Sequence, residues 1–374
     1  MTMVNYSTPK LAFELPPELQ DLQKLVRRIV DEECIPLEAE FLQNGPSLVE
    51  SSYEGAAEGS LPQQTWDRLE QISRDAGIFD VHLPEEYGGA GLGVLGNFVV
   101  DAEVKRSVVP LPTRWIPGLL FDGTEDQKQR YLLPMVEGTK RAAFAQTEPG
   151  AGSDPGNSMA TRAVRDGDEW VLNGTKTFIS GANHADFMLL LAVTDPERRQ
   201  RGGITMFLVD TDLPGVSMSP LGIWMTPRVP KQFTVHLDDV RVPHENVLGA
   251  VGGGFQLGQQ FLAVQDRLTR GSLACGILSR GLEMATDWAR ERTTFGRPLA
   301  DRQAIQWMLV DVYIDLKCIR AVSYECAAKA DRGEDVRVEA SMAKYLGGNW
   351  GHRSIDKLLQ IFGGMGESTE FPIV

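Results

Sequence analysis

The hydrophobic period changes twice along the chain, and this restricts the fold more than any other feature. Leu22, Leu25, Val26, Ile29 and Val30 recur at helical spacing up to Pro36, which is expected to end that helix. Trp66, Leu69, Ile72 and Ala76 repeat the pattern before Gly77. In the middle third the period drops to two. Trp170 and Leu172 alternate up to Asn173-Gly174, which reads as a hairpin turn, and Thr175, Thr177 and Ile179 follow. Residues 187–193 and 204–209 are apolar runs of strand length. Phe233, Val235, Leu237, Val240 and Val242 alternate again. After Gly252-Gly253-Gly254 the helical period returns in Leu278, Leu282, Ala285 and Ala289, and then in Ile305, Met308, Leu309, Val312, Leu316 and Ile319. A third stripe runs from Met342, Tyr345 and Leu346 to Ile361. The expectation is an α+β chain: an all-helical segment over 1–140, a small β-barrel or sandwich over 141–250, and a four-helix bundle over 251–374.

Composition excludes several classes. Apolar residues make up 42% and charged residues 24%, so the chain is not disordered. No apolar run reaches the roughly 18 residues of a membrane span, and the N-terminal MTMVNYSTPK is not a secretory signal. The net charge of −14 disfavours nucleic acid and anionic lipid, while leaving room for a small anionic ligand held by local Arg and N–H groups. Cys34, Cys275, Cys318 and Cys326 contain no CxxC pair and read as thiols in a reducing, cytoplasmic compartment. The five histidines form no zinc pattern, so no metal is expected. Residues 43–60 read as a loop. The glycines of residues 83–93 follow a helix without GxxxxGK[ST], so they read as a turn rather than a phosphate loop.

Six motifs follow in order: GTEDQKQRYLLP (123–134), AQTEPGAGSD (145–154), WVLNGTKTFIS (170–180), DVRVPHENVLG (239–249), ERTTFG (291–296) and QIFGG (360–364). In this combination the chain resembles the acyl-CoA dehydrogenase family from about Leu19 onward. The resemblance implies FAD as cofactor. It places Phe144, Gln146, Thr147, Ser153, Phe178 and Ser180 beside the flavin, where Phe178 replaces the family's usual Trp and so lacks an indole N–H. On bare residues, Ser153-Asp154 would be a cap or turn pair, and Phe178 a strand core residue. Glycines at 150 and 152 remove the Cβ obstacle to a close ligand. Arg292, Phe295 and Gln303, with Gln360, Gly363 and Gly364, match residues that reach FAD across a subunit interface, so a homodimer or homotetramer is implied. Ser153 and Arg267 match substrate-side positions.

The implied reaction is α,β-dehydrogenation of an acyl-CoA thioester to the trans-2-enoyl-CoA. A carboxylate removes the α-proton, flavin N5 takes the β-hydride, and electrons pass to an electron-transfer flavoprotein. The carboxylate needs an apolar, water-free setting. Most family members carry it in a loop after the QxxGG segment, and this sequence stops at Val374, before that point. A minority carry it immediately before the Arg that matches Arg267, which nominates Asp266 as base; the plainer reading is an Asp–Arg pair on a helix surface. WMTPRVPK (224–231) departs from the family pattern. Alternatives are the same fold with altered flavin chemistry (oxidase, monooxygenase or elimination), or a non-catalytic partner subunit of a hetero-oligomer.

Overall fold

The computed structural model describes residues 15–43, 61–221, 232–368 and 372; the segment 224–231 lies outside them. In chain order the longer helices are α1 (Pro17–Ile29), α2 (Gln63–Asp75), α3 (Gly93–Val104), α4 (Gly254–Phe261), α5 (Leu268–Glu291), α6 (Gln303–Asp331), α7 (Arg337–Tyr345) and α8 (Gly351–Phe362). Between α3 and α4 lie β1 (Ala142–Ala145), β2 (Arg162–Asp166), β3 (Glu169–Ser180), β4 (Phe187–Val193), β5 (Ile204–Asp210), β6 (Val216–Pro220), β7 (Gln232–Pro243) and β8 (Val247–Leu248). The chain divides into two compact units. One comprises Met1–Asn44, Pro62–Thr113 and Ala263–Val374, and the other Gly45–Leu61 and Arg114–Leu262. The helical first and last parts of the chain therefore share a unit.

In the helical unit, α3 carries apolar residues on every side. Leu95, Phe98, Val99 and Val100 are all buried, which makes it an inner helix. It packs against α1, α5 and α6, with Phe98 edge-on to Tyr324 at 5.5 Å. The α3–α5 approach is close: a Cβ at Gly276 would stand 2.6 Å from the Ala102 carbonyl oxygen. The stripes Leu278, Ala285, Ala289 and Val312, Leu316, Ile319 are buried as the periodicity requires. Buried Asp315 bolts α6 to α8. It accepts from Arg353 Nε at 2.8 Å and Ser354 Oγ at 2.8 Å, and these donors hold its carboxyl below the usual range despite desolvation. The third stripe departs from expectation. Met342 and Tyr345 are 46% and 61% exposed, and of the three only Leu346 turns inward.

Pro36 does not end the first helix. The chain continues through a π turn (Val30–Cys34), a 3-10 turn (Ile35–Leu37) and a further α segment (Glu38–Gln43). A proline ring collides with the carbonyl four residues back and lacks an N–H. The wider π turn, in which the Ile35 N–H reaches the Val30 carbonyl, makes room for it.

In the second unit the strands form one mixed sheet in the order β6-β7-β3-β2-β4-β5-β8, with β1 beside β4. β1 and β2 run parallel to β4. β4 is buried along its whole length and β5 nearly so, which is why both are continuous apolar runs rather than alternating ones. Asn173-Gly174 is not a hairpin turn, since β3 runs straight through it. The chain reverses instead at Gly167-Asp168, between paired Asp166 and Glu169, with Gly167 at φ +62. Asn173 is occupied elsewhere. Its Nδ2 donates to Asp239 Oδ1 at 2.9 Å, and its Oδ1 accepts the Asp239 N–H at 2.9 Å. The β3–β7 ladder slips a register there. Gly174 is required on two counts: its φ is +156, and a Cβ would strike Thr161.

Candidate functional site

The sheet unit builds its site from the loop after β1 and a second slip in the β3–β7 ladder. The slip falls between Lys176 and Ile179. There the Thr177 N–H leaves β7 and donates to the Thr147 carbonyl at 2.9 Å, so the 146–153 loop is hydrogen-bonded to β3. The same bulge places Phe178 at φ +59 with half its surface (51%) exposed. For a bulky side chain this backbone is strained. Its position as an ordinary strand core residue is thereby excluded. Ser180, two residues on, is exposed, and its hydroxyl accepts from Gln232 Nε2 at 3.4 Å.

Beneath the loop lies a buried ion pair. Lys176, 0% exposed, donates to Glu148 Oε1 at 2.8 Å and to the Gln146 carbonyl at 3.3 Å. The Glu148 carboxylate also accepts the Ala160 and Thr161 N–H groups. Burial brings the Lys176 ammonium down to about 8, against the opposing pull of Glu148. For Glu148, burial acts upward, but Lys176 and the N–H donors outweigh it and hold the carboxyl below its ordinary value. Sequence reasoning missed this pair. A lysine inside an inward-facing strand run, 28 residues after a glutamate, was the available signal.

The neighbouring residues are placed as follows. Phe144 stacks on Phe261 at 4.5 Å, and Phe261 meets Trp115 edge-on at 6.1 Å. Gln146 is 7% exposed, and its Oε1 is buried without a hydrogen-bond partner among the described residues. Thr147 is half-buried and Ser153 exposed. Asp154 caps the short helical turn Pro155–Ser158, accepting the Asn157 N–H at 3.3 Å. A Cβ at Gly150 or Gly152 would meet nothing within 4 Å, so the loop presents bare backbone. Open backbone, an unsatisfied carboxamide and a half-exposed ring together suit a flat, polar-edged heterocycle.

In the helical unit, Arg292 follows the last residue of α5. Phe295 and Gly296, at φ +50 and +76, turn the two-residue strands Thr293–Thr294 and Arg297–Pro298 back on each other. Phe295 is 97% exposed, with the Arg302 guanidinium 5.7 Å from its ring centroid. Gln303 opens α6, Gln360 lies on α8, and Gly363 ends α8 at φ +62; all are exposed, as is Gly364. Asp266 and Arg267 close the π turn Leu262–Arg267 before α5. The Asp266 carboxylate accepts from Arg270 Nη2 at 2.9 Å and lies 3.6 Å from Lys344 Nζ, with 31% of the side chain exposed. It is held by two cations rather than by dry, apolar surroundings. Among the described residues no group of His, Cys, Asp and Glu could hold a metal, and no helix is long and apolar enough to cross a membrane.

Comparison with known proteins now decides the family. The acyl-CoA dehydrogenase N-terminal, middle and C-terminal domain profiles match residues 16–139, 143–240 and 252–374. The chain belongs to the acyl-CoA dehydrogenase family. It is an oxidoreductase, and its cofactor is FAD. A probable acyl-CoA dehydrogenase of Bacillus subtilis, YngJ, is 31% identical over 370 residues, covering 96% of this chain and 92% of that protein. The caffeyl-CoA reductase-Etf complex subunit CarC of Acetobacterium woodii is 36% identical over 322 residues, covering 84% and 83%. The structure of butyryl-CoA dehydrogenase from Megasphaera elsdenii superposes with a TM-score of 0.80 at 28% identity, covering 96% of this chain and 92% of that one. The acyl-CoA dehydrogenase fold accounts for the helical N- and C-terminal parts and for the mixed sheet that lies between them in the sequence.

Proposed function

We propose that the protein dehydrogenates an acyl-CoA thioester between its α and β carbons, giving the trans-2-enoyl-CoA, and passes the electrons to an electron-transfer flavoprotein. The observation that carries this reading is the hydrogen-bonded loop and bulge that present Thr147, Ser153, Phe178 and Ser180. Phe144, Gln146, Thr147, Ser153, Phe178 and Ser180 hold FAD on the sheet unit. When bound, FAD supplies the hydride-accepting position. Arg292, Phe295, Gln303, Gln360, Gly363 and Gly364 reach the FAD of a second copy. A phenylalanine ring exposed at 97% supports that assignment, as does the apolar row Trp307, Val310, Tyr313 and Ile314 along α6, each more than half exposed. The assembly is a homodimer or homotetramer. Four unpaired cysteines agree with a cytoplasmic setting.

Asp266 takes the α-proton in this reading, with Arg267 and Ser153 on the substrate side. Its place on a π turn supports the role, because such turns gather at functional sites. To act, the carboxylate must leave Arg270 and Lys344. The test is the flavin spectrum of the purified protein under anaerobic conditions with a panel of acyl-CoAs. Bleaching of the oxidised-flavin band at about 450 nm is expected, and Asp266→Asn should abolish it with FAD still bound. Undiminished bleaching in that variant removes Asp266 as base.

The similarity to CarC favours a second reading, in which the protein runs toward reduction of a 2-enoyl thioester. Chemically reduced protein would then be reoxidised by an enoyl-CoA faster than the oxidised protein is bleached by the saturated one. A colourless protein would point to a non-catalytic partner subunit.

A further inference from the structure

We infer that Lys176 and Glu148 are positioning residues for FAD: their buried bridge fixes the flavin-binding backbone, although neither is among the residues assigned to touch the cofactor. This rests on the assignment of the 146–153 loop and Phe178 to FAD. The geometry is specific. One ammonium holds the Gln146 carbonyl at 3.3 Å and the Glu148 carboxylate at 2.8 Å. The same carboxylate gathers the Ala160 and Thr161 N–H groups at the start of β2. One residue along β3, the Thr177 N–H holds the Thr147 carbonyl at 2.9 Å. The loop is thus tied down at residues 146, 147 and 148, immediately before its glycines. These ties originate on the strand whose next residue is strained Phe178. A buried, hydrogen-bonded charge pair is an inefficient way to stabilise a fold, since apolar residues of similar volume often do as well or better. What it does provide is a defined backbone position, and here that backbone is the loop.

This reasoning sets the test. A single Lys176→Met leaves the Glu148 charge buried alone and threatens folding, so the decisive protein is the double variant Lys176→Met/Glu148→Gln, whose carboxamide oxygen still accepts from the Ala160 and Thr161 N–H groups. Apoprotein melting temperature and FAD dissociation constant are measured side by side. The inference expects the double variant to melt near the wild type yet bind FAD about tenfold more weakly or worse, the scale of one lost charge-assisted contact, with a changed flavin circular-dichroism band. Wild-type FAD affinity in a normally folded double variant overturns it. If the double variant does not fold, Lys176→Gln and Glu148→Gln, neutral groups of similar reach, carry the same comparison with the same two outcomes. Phe178→Ala serves as the control for the underlying assignment. If it leaves FAD affinity and spectrum unchanged, the assignment fails. If it weakens binding while the pair variants do not, only the positioning role fails.

Discussion

Single buried carboxyls make the most direct predictions. Glu38 is 7% exposed and accepts from Ser107 Oγ at 2.9 Å and the Val108 N–H at 3.2 Å. Burial raises its carboxyl above the ordinary value, against these two donors and Arg280. A raised folded-state value contributes stability at low pH that is lost as pH rises through it. Glu38→Gln keeps an acceptor for both donors and removes that loss. Its melting temperature relative to wild type should therefore climb between about pH 4 and pH 7; a constant difference contradicts the argument. Asp315 has the opposite sign. Its lowered carboxyl contributes stability at neutral pH that is lost in acid, so Asp315→Asn should cost most near pH 7 and least near pH 3 (about 2 kcal/mol at the maximum, because Arg353 stays half exposed). At this scale the sequence was partly legible. The family resemblance led to Thr147, Ser153 and Phe178, but the alternation read through Thr175, Thr177 and Ile179 set Lys176 on the opposite face, although it lies in phase with buried Trp170 and Leu172. Two register slips change which residues face inward: one accompanies the Asn173–Asp239 pairing across 66 residues, and the other the Thr177 N–H turning to Thr147.

Among the elements, periodicity located α1, α2, α5 and α6 and the strands β3, β4, β5 and β7, because each buries one face or both, but it offered no stripe for α3, which is buried on every side. It misjudged their ends where a local signal met a tertiary contact. Pro36 was absorbed by a π turn, and Asn173-Gly174 became a bulge because its side chain found Asp239 rather than its own turn. The α3–α5 contact gives a clean check. Gly276→Ala drives a methyl group to 2.6 Å from the Ala102 carbonyl, and the helices must separate at a cost of about 1–3 kcal/mol. A drop of several degrees in melting temperature is expected. No change would mean that α3 shifts freely, contrary to its burial on every side.

At the level of the whole molecule, the proposed assembly is tested on the apolar row of α6, which with Phe295 is exposed in the chain. Trp307→Glu with Tyr313→Glu should lower the mass in sedimentation equilibrium to that of one 41.2 kDa chain. The same variant should lose FAD, because Arg292, Phe295 and Gln303 would no longer reach a partner's cofactor. A single-chain protein that stays yellow would separate cofactor retention from assembly. The α7 stripe explains why the last part of the sequence was harder to read than the middle: Met342 and Tyr345 stay exposed, yet their spacing has the same periodicity as a core.

Phe178 carries one more consequence. A left-handed backbone under a large aromatic side chain costs about 1–3 kcal/mol, and glycine would relieve most of it. Laboratory evolution for heat resistance alone would therefore drift toward glycine at this position. It would gain a hardier protein and discard the ring assigned to the flavin. A screen for thermostable variants should be scored on yellow colour as well as on survival.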